Sequence, residues 1–521
     1  MYSKRRVIIL GGGAAGWMTA KYLSVHNEDV EVTLIEAPNK PTIGVGESTT
    51  PHLAKWLKSI GIHEDKEWMP KCNATYKNGV LYEDWDYIGA RFWHAFEADE
   101  WVYPYWNIKR EEEGLDRQDY WTSTMYTGHA AMRDSSKWLA DKDGVIPEYY
   151  QSQSYNGFPQ HYAYHIDAGA FTEFLKEITE VTHVYADIID IRTNEDGIEK
   201  LIDAIGIEYT ADLYIDCTGF KKELISKVND DFTKFDPYLT HDKALVIPCP
   251  YLDKETEMRP RTKSKAMNAG WAWEIPLYNR IGNGYVYTSS YISDEEAEKE
   301  FRDYLGNDRV KDCKSFIVDI ETGYYDRPFT KNVVAVGLSA GFIEPLEATL
   351  LYAVQVAGMN VSEYLKGTKT SEEHNQEASY ALGAFLDFIS SNYYLSKRRD
   401  TPFWKSQDTT HLTEKMHRWI NESKEELKPS PRVELFVDSS WVSKAIGFNL
   451  FPENAMFERY DETLSKLADS WMEKIRTFDY TGRISQKEYL DTFIYRSTNG
   501  NSRHHTRATN GSSRDVRMVL E

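Results

Sequence analysis

A glycine-rich segment near the start of the chain constrains the fold more than any other feature. Residues 6–10 (RVIIL) form an apolar, β-branched run that predicts a buried strand. Gly11, Gly13 and Gly16 follow at the spacing of a dinucleotide fingerprint. In that pattern the first glycine permits a tight turn, the second lets the backbone approach a pyrophosphate, and the third lets a helix pack on the strand.

The residues after the glycines continue this pattern. A helix is predicted over residues 17–25, and its N-terminal N–H groups would point toward the phosphates. A second apolar strand over residues 30–35 ends at Glu36, where a ribose-binding carboxylate is expected. Together, the two strands, the glycines, the helix and the acidic residue predict dinucleotide binding rather than a structural turn.

The charge balance excludes several classes of partner. The chain has 521 residues, with 61 Lys and Arg against 82 Asp and Glu, which gives a formal net charge of −21. Such an excess of negative charge argues against binding to nucleic acid or to an anionic membrane surface. No run approaches the roughly 18 apolar residues of a membrane span. The length is enough for two or three packed regions.

The cysteines and histidines indicate neither a disulfide framework nor a metal centre. Cys72, Cys217, Cys249 and Cys313 are scattered and form no C-x-x-C pair, and the 14 histidines show no ligand spacing. The chain begins directly with a strand and shows no signal-peptide pattern. We therefore predict a cytoplasmic protein with reduced thiols and no metal site.

Five further motifs accompany the fingerprint. They are GVGESTTP at 44–51, ADLYIDCTGF at 211–220, GWAWEIP at 270–276, GFIEPLEAT at 341–349 and DTPFW at 400–404. With the fingerprint, they resemble the flavin-dependent halogenases of the tryptophan-halogenase type, from Val7 to about Pro452. The W-x-W-x-I-P signature is the most specific motif, because it separates these enzymes from the related single-component flavin hydroxylases.

The resemblance implies an α/β flavoprotein with a Rossmann-like, hydroxylase-type FAD-binding fold, a β-rich substrate region and a mainly helical C-terminal part. It predicts five segments. Residues 1–85 and 161–400 form the two FAD-binding parts, and the second part includes the W-x-W-x-I-P region and the active-site helix. Residues 86–160 are an aromatic-rich insertion at the substrate pocket, 401–496 a helical substrate region, and 497–521 a polar tail.

The resemblance also implies a reaction. The enzyme would use FADH2, O2 and a halide to make hypohalous acid, and would halogenate an electron-rich aromatic substrate of the indole or phenol type. Because the chain carries one dinucleotide fingerprint, we expect a separate flavin reductase as partner. A homodimer stays open. The alternatives are a flavin-dependent aromatic monooxygenase and a non-catalytic flavin-binding protein.

Two side chains are implied to carry the chemistry. Lys77 lies in a segment that resembles the family's lysine segment, where the amine binds hypohalous acid or forms a haloamine with it. Burial would lower the pKa of this amine. Lys71 is the competing lysine, but it does not align with the lysine of the family's segment. Glu347 is predicted at the start of a long helix, where the helix dipole favours its charge. Glu344 is expected to be structural.

The remaining predicted site residues fall into three groups. The implied flavin contacts are Gly11, Gly13, Ala14, Ala15, Gly16, Glu36, Gly46, Glu47, Ser48, Ile188, Leu338 and Leu351. Backbone N–H groups of Thr349 and Leu350 would bind the halide. Leu350 stands where many family members have glycine, so we hypothesise that bromide or iodide is preferred over chloride. Trp271, Trp273 and Pro276 would shield the flavin side from the organic substrate.

Overall fold

The computed structural model describes residues 4–38, 46–96, 162–236, 238–407, 411–425, 436, 438–448, 450, 466 and 486–496. Within these ranges no helix combines the length and the apolar character that crossing a bilayer requires. Most of the aromatic-rich insertion, residues 451–465 and 467–485 of the predicted helical substrate region, and the tail from 497 lie outside the described residues, as do residues 39–45.

The strands are short and spread along the chain. Their bounds are β1 Arg5–Leu10, β2 Val30–Glu36, β3 Gly46–Ser48, β4 Thr75–Lys77, β5 Gly79–Glu83, β6 Arg91–Ala95, β7 Ala163–Asp167, β8 Thr182–Tyr185, β9 Ile188–Asn194, β10 Gly197–Asp203, β11 Glu208–Tyr209, β12 Leu213–Asp216, β13 Phe232–Lys234, β14 Lys243–Val246, β15 Thr262–Ala266, β16 Gly270–Pro276, β17 Ile281–Tyr287, β18 Phe316–Asp319, β19 Gly323–Tyr325, β20 Phe329–Thr330, β21 Val333–Ala335 and β22 Gly341–Phe342.

Among the described residues, most helical residues lie in the second half of the chain. Their bounds are α1 Ala14–His26, α2 His52–Ser59, α3 Asp65–Trp68, α4 Ala168–Glu177, α5 Lys254–Glu257, α6 Asp294–Leu305, α7 Asn307–Val310, α8 Thr349–Lys366, α9 Ser371–Leu395, α10 Pro402–Ser406, α11 Glu414–Glu425, α12 Asp438–Gly447 and α13 Gln486–Tyr489.

The predicted dinucleotide-binding unit forms one six-stranded sheet in the order β20-β21-β12-β1-β2-β8. Strand β1 pairs in parallel with both β2 and β12, so the segment 211–220 does return beside the first strand. Helix α1 begins at Ala14, three residues before the predicted start at 17, so it includes Gly16, and it buries Trp17, Met18 and Leu23. The prediction of an α/β nucleotide-binding core is confirmed.

A second sheet of seven strands, in the order β18-β14-β17-β16-β15-β5-β6, carries the tryptophan signature on β16. Its strands β5 and β6 come from the N-terminal part of the chain, and β5 pairs in parallel with β15. The sheet therefore spans the predicted limit at residue 85, while the five-segment division itself stays a prediction.

A small sheet has the order β3-β7-β4, and its strand β3 contacts β16 and β17 of the seven-stranded sheet. The glycine-punctuated run 41–48 predicts a loop, and for Gly46, Glu47 and Ser48 this prediction is wrong. They form β3, because antiparallel pairing with β7 sets Gly46 opposite Asp167 and Ser48 opposite His165. Strand β4, which ends at Lys77, pairs with the opposite edge of β7.

Candidate active site

The glycine loop has the local geometry that its sequence predicts. Gly11 has φ +118°, and a side chain there would place Cβ 2.2 Å from the carbonyl oxygen of Cys217. A Cβ on Gly16 would lie 1.9 Å from the carbonyl oxygen of Gly11, so helix and loop are in direct contact. A Cβ on Gly13 would meet no atom within 4 Å. The loop is therefore tightly packed at Gly11 and Gly16 and leaves open space beside Gly13.

The start of α1 is suited to phosphate. Gly13 is the N-cap residue and makes no side-chain cap, and the first turn, which includes Ala14 and Ala15, holds no acidic residue. The first N–H groups of a helix have no acceptor within the helix, so these donors can serve a phosphate. FAD, whose pyrophosphate such a loop would hold, therefore fits the residues present.

Glu36 ends β2 beside this loop. Its Oε1 atom accepts hydrogen bonds from Lys176 Nζ at 2.9 Å and His183 Nε2 at 2.7 Å. Its Oε2 atom lies against Gly12, where a Cβ would approach it to 1.6 Å. Lys176 and His183 thus orient the carboxylate next to the loop, where the ribose of a dinucleotide is expected.

Strand β3 contributes a carboxyl group, that of Glu47, which is a weaker acid than usual. Burial raises the pKa of Glu47 to about 7. The neighbouring hydroxyl of Ser48 lies 2.9 Å from Thr262 Oγ1, which in turn lies 2.9 Å from His165 Nε2. These contacts fix β3 against β7 and β15, directly beside Thr49.

Lys77 is a buried lysine, not a surface one. Its side chain is 1% exposed, and its Nζ donates to the carbonyl oxygen of Thr49 at 3.0 Å. Loss of solvation lowers the pKa of Lys77 to about 8, although the nearby Glu347 acts to raise it. The competing Lys71 is exposed and pairs with Glu177. The prediction that burial lowers the pKa of the Lys77 amine is confirmed.

Glu347 is buried, but it is not held by a helix N-terminus as we expected. Residues 345–347 form a 3-10 turn, and Ala348, with φ +57°, separates this turn from α8. The carboxylate accepts a hydrogen bond from the Tyr82 hydroxyl and lies 3.0 Å from His94 Nδ1. Burial acts to raise the pKa of Glu347, but His94 and Tyr82 outweigh it and hold the pKa below its ordinary value.

Tyr82 and His94 were missed as site residues. They lie on the neighbouring strands β5 and β6, where the Tyr82 ring stacks on Phe92 with centroids 4.6 Å apart. Alternation along a strand places residues two apart on one face, so Phe92 and His94 share a face. The spacing of Phe92 and His94 is the signal in the sequence that could indicate this arrangement.

The first turn of α8 carries Thr349 and Leu350. Thr349 is buried and Leu350 is half-buried. As the first residues of the helix, both have backbone N–H groups without an intrahelical acceptor. This turn follows Glu347 directly, so the structure brings the predicted halide residues beside the predicted catalytic carboxylate.

The two tryptophans of β16 lie side by side. Trp271 and Trp273 are buried with ring centroids 6.1 Å apart, as the alternation of strand residues predicts. Trp271 Nε1 donates to Glu344 at 2.8 Å, and Tyr393 also donates to this carboxylate at 2.5 Å. At the end of β16, Pro276 accepts a hydrogen bond from Thr75 at 2.5 Å.

Three apolar residues complete the predicted flavin contacts. Leu338 lies in the 3-10 turn 337–339, where a Cβ on Gly337 would lie 3.0 Å from Ala15. Leu351 is buried in the first turn of α8, and Ile188 begins β9. Their contact with the flavin stays a prediction.

Comparison with known proteins decides the family. The profile described as tryptophan halogenase matches residues 6–462. The chain belongs to the tryptophan halogenase family. It is 32% identical to tryptophan 6-halogenase SttH of Streptomyces toxytricini, over 80% of this chain and 83% of that protein. It is also 32% identical to tryptophan 7-halogenase RebH of Lentzea aerocolonigenes, over 80% of this chain and 81% of that protein.

The structure of Tar14, a tryptophan C-6 flavin-dependent halogenase from taromycin biosynthesis, agrees with this one. Its TM-score is 0.81 at 28% identity, over 94% of this chain and 99% of that chain. The present chain is thus a flavin-dependent halogenase that uses FAD and a halide, and the predicted family, fold class and enzyme class are confirmed.

Proposed function

We propose that this halogenase transfers the halogen of hypohalous acid to an electron-rich arene through Lys77 and Glu347. The observation that carries the proposal is that a buried lysine, whose pKa is lowered to about 8, lies within electrostatic range of Glu347, a buried carboxylate whose pKa is held below its ordinary value. Perturbed titratable groups in one buried site are typical of acid–base and nucleophilic catalysis.

In this proposal Lys77 binds hypohalous acid or reacts with it. When bound, FADH2 would supply two electrons for the reduction of O2 and the halide would supply the other two, so that the products are hypohalous acid, water and oxidised FAD. The ammonium form of Lys77 donates a hydrogen bond to that acid. The neutral amine can instead attack its halogen, forming an N–halogen bond and releasing water. With a pKa of about 8, Lys77 has access to both forms near neutral pH. The Thr49 carbonyl orients the amine in either case.

In this proposal Glu347 removes the proton from the halogenated ring carbon. When the halogen adds to a ring carbon, that carbon still carries its hydrogen, and a base must remove it to restore aromaticity. The carboxylate is ionised at neutral pH because Tyr82 and His94 lower its pKa. The two partners also fix its orientation. A positioned carboxylate of this kind is suited to general-base catalysis.

The halide and the flavin occupy the other side of this site in the proposal. The first N–H groups of α8, at Thr349 and Leu350, are the donors for the halide. Because Leu350 is bulkier than glycine, bromide or iodide is the expected substrate in preference to chloride. Trp271 and Trp273 separate the flavin from the arene, so the oxidant reaches the substrate only past Lys77.

The substrate class follows from the relatives and from this mechanism. Both curated relatives act on tryptophan, as their names state. Attack on hypohalous acid needs a ring with high electron density, which indoles and phenols provide. A separate flavin reductase supplies FADH2, because the chain carries one dinucleotide fingerprint.

Two variants test these roles. The protein would be mixed with chemically reduced FAD, O2, bromide and a panel of indoles and phenols, and the products identified by mass. We expect Lys77→Met and Glu347→Gln each to lose halogenated product at least 100-fold while FAD binding stays unchanged. Lys71→Met, a control for loss of an exposed lysine, should match the wild type. Bromination by Lys77→Met at the wild-type rate would overturn the proposed role of Lys77.

A further inference from the structure

A second buried carboxyl group, that of Glu344, lies three residues before Glu347. It is 0% exposed. Its Oε2 atom accepts a hydrogen bond from Trp271 Nε1 at 2.8 Å and another from the Tyr393 hydroxyl at 2.5 Å. Its Oε1 atom lies 3.0 Å from His241 Nδ1. Because an indole N–H can only donate, the Trp271 contact fixes this carboxyl oxygen as the acceptor.

Packing alone does not explain a carboxylate at this position, because aromatic rings surround its partners. The Tyr393 ring lies 5.4 Å from the Trp85 ring. The His241 ring lies 5.3 Å from the Phe403 ring. An apolar side chain would fill such a site without the cost of removing a carboxylate from water. A buried polar group whose contacts are satisfied makes its surroundings rigid, so Glu344 is suited to fixing the position of its partners.

The hydrogen bond from Trp271 distinguishes the two tryptophans of β16. Trp273 has a buried Nε1 atom without a hydrogen-bond partner among the described residues. It packs on Trp271 with ring centroids 6.1 Å apart, and a Cβ on Gly284 would lie 2.1 Å from its ring. Packing therefore holds Trp273, whereas a polar contact fixes Trp271, against which Trp273 rests.

Glu344 also connects this tryptophan to the segment that carries the proposed base. It is the N-cap residue of the 3-10 turn 345–347, in which Glu347 is the last residue. Its partner Trp271 lies on β16, and its partner Tyr393 lies on α9. The carboxylate thus joins the tryptophan strand and α9 to the turn that precedes the proposed halide site.

We propose that Glu344 is a positioning residue, whose carboxylate holds the Trp271 ring in place between the flavin and the arene. The inference rests on the proposed role of Trp271 and Trp273 in leading hypohalous acid past Lys77. Without the contact the Trp271 ring could shift within the aromatic cluster, and the oxidant would have a second way out. Burial and Glu344 raise the pKa of Tyr393 well above its ordinary value, so this second donor keeps its proton. Glu344 would act through Trp271 without touching the halide or the substrate.

NMR of the protein labelled at its tryptophan indole nitrogens tests the contact without turnover. Trp271→Phe identifies the Trp271 signal by removing it. We expect Glu344→Leu, which removes the acceptor at similar volume, to move this signal upfield. Glu344→Gln retains an oxygen for Trp271 and Tyr393 and should leave the signal near its wild-type position. Tyr393→Phe is the matched control, because it removes the other donor to the same oxygen and keeps the Trp271 contact.

Trapping of the oxidant tests the consequence. Each protein would be given chemically reduced FAD, O2, bromide, a saturating arene and monochlorodimedone, a diketone that free hypohalous acid halogenates. The share of halogen found on the diketone is measured, so a slower flavin reaction does not alter the result. A hydrogen bond to a carboxylate favours the anchored ring by at least about tenfold, so this share should rise about tenfold in Glu344→Leu. Trp271→Phe, which keeps the carboxylate, should do the same and is the second variant if Glu344→Leu does not fold. Glu344→Gln and Tyr393→Phe should match the wild type.

The double variant of Glu344→Leu and Trp271→Phe separates positioning from packing. If Glu344 acts through Trp271, the double variant should trap no more halogen than Trp271→Phe alone. An unmoved indole signal in Glu344→Leu, or a fall in both products with an unchanged share, would overturn the proposal in favour of packing. Equal trapping by Glu344→Gln and Glu344→Leu would overturn it in favour of a role for the charge. A wild type that halogenates neither compound would instead refute the proposed function, and the indole signal tests the Trp271 contact separately.

Discussion

Replacing Lys77 with methionine should stabilise the protein while it abolishes halogenation. Folding buries this amine and lowers its pKa from 10.5 to about 8. Below pH 8 the native state therefore holds an ammonium group that is better solvated in the unfolded chain. A methionine side chain at this position would fill nearly the same volume without a charge.

The magnitude follows from proton linkage. A pKa lowered by this much costs the native state about 3 kcal/mol at pH 7. The lost hydrogen bond to Thr49 offsets about 1 kcal/mol of the gain. Lys77→Met should thus be more stable than the wild type by about 2 kcal/mol at pH 7.

The stabilisation by Lys77→Met should depend on pH. Between the folded and unfolded pKa values the unfolded chain binds more protons, so wild-type stability rises with pH through this window. The penalty that Lys77→Met removes therefore falls to roughly half by pH 9.5.

Urea unfolding followed by tryptophan fluorescence at pH 7.0 and 9.5 measures both effects. Lys71→Met is the matched control, because Lys71 is exposed and its pair with Glu177 contributes at most about 1 kcal/mol. A Lys77→Met protein that is less stable than the wild type at pH 7 would refute the reasoning. So would an advantage that does not change with pH.

Three other substitutions test separate parts of the account. Gly11→Ala, which forces a Cβ to 2.2 Å from the Cys217 carbonyl, should lower FAD affinity at least tenfold in a fluorescence titration. Gly206→Ala, at an equally left-handed but open position, should bind FAD normally, and equal losses in both would contradict the steric argument. Tyr82→Phe removes a hydrogen bond to a charged group, worth about 1.5–3 kcal/mol, and should raise the acidic limb of the halogenation profile by about one to two pH units. An unmoved limb would mean that Glu347 does not set it. Leu350→Gly should increase the ratio of chlorinated to brominated product in a halide competition, and an unchanged ratio would show that this side chain does not select the halide.

The nucleotide-binding core could be predicted because its signals are local. The run 6–10, the glycines and the strand ending at Glu36 are consecutive, and each requires only near neighbours. The same holds for Trp271 and Trp273, whose spacing on one strand determines their common face.

The surroundings of Glu347 could not be predicted because they come from distant parts of the chain. Tyr82 and His94 meet this carboxylate across 265 and 253 residues of sequence, through a sheet that joins N-terminal strands to β15. Ala348 adopts a left-handed conformation that a non-glycine residue rarely takes, so no local pattern indicates that Glu347 lies outside the helix.

We expect the enzyme to transfer halogen, and not oxygen, to the arene. The wild-type enzyme would be incubated with chemically reduced FAD, O2 and an electron-rich arene, with and without bromide, and the products read by mass spectrometry. We expect a product with the bromine isotope pair that forms only when bromide is present. A product that gains oxygen instead, at the same yield with and without bromide, would contradict it.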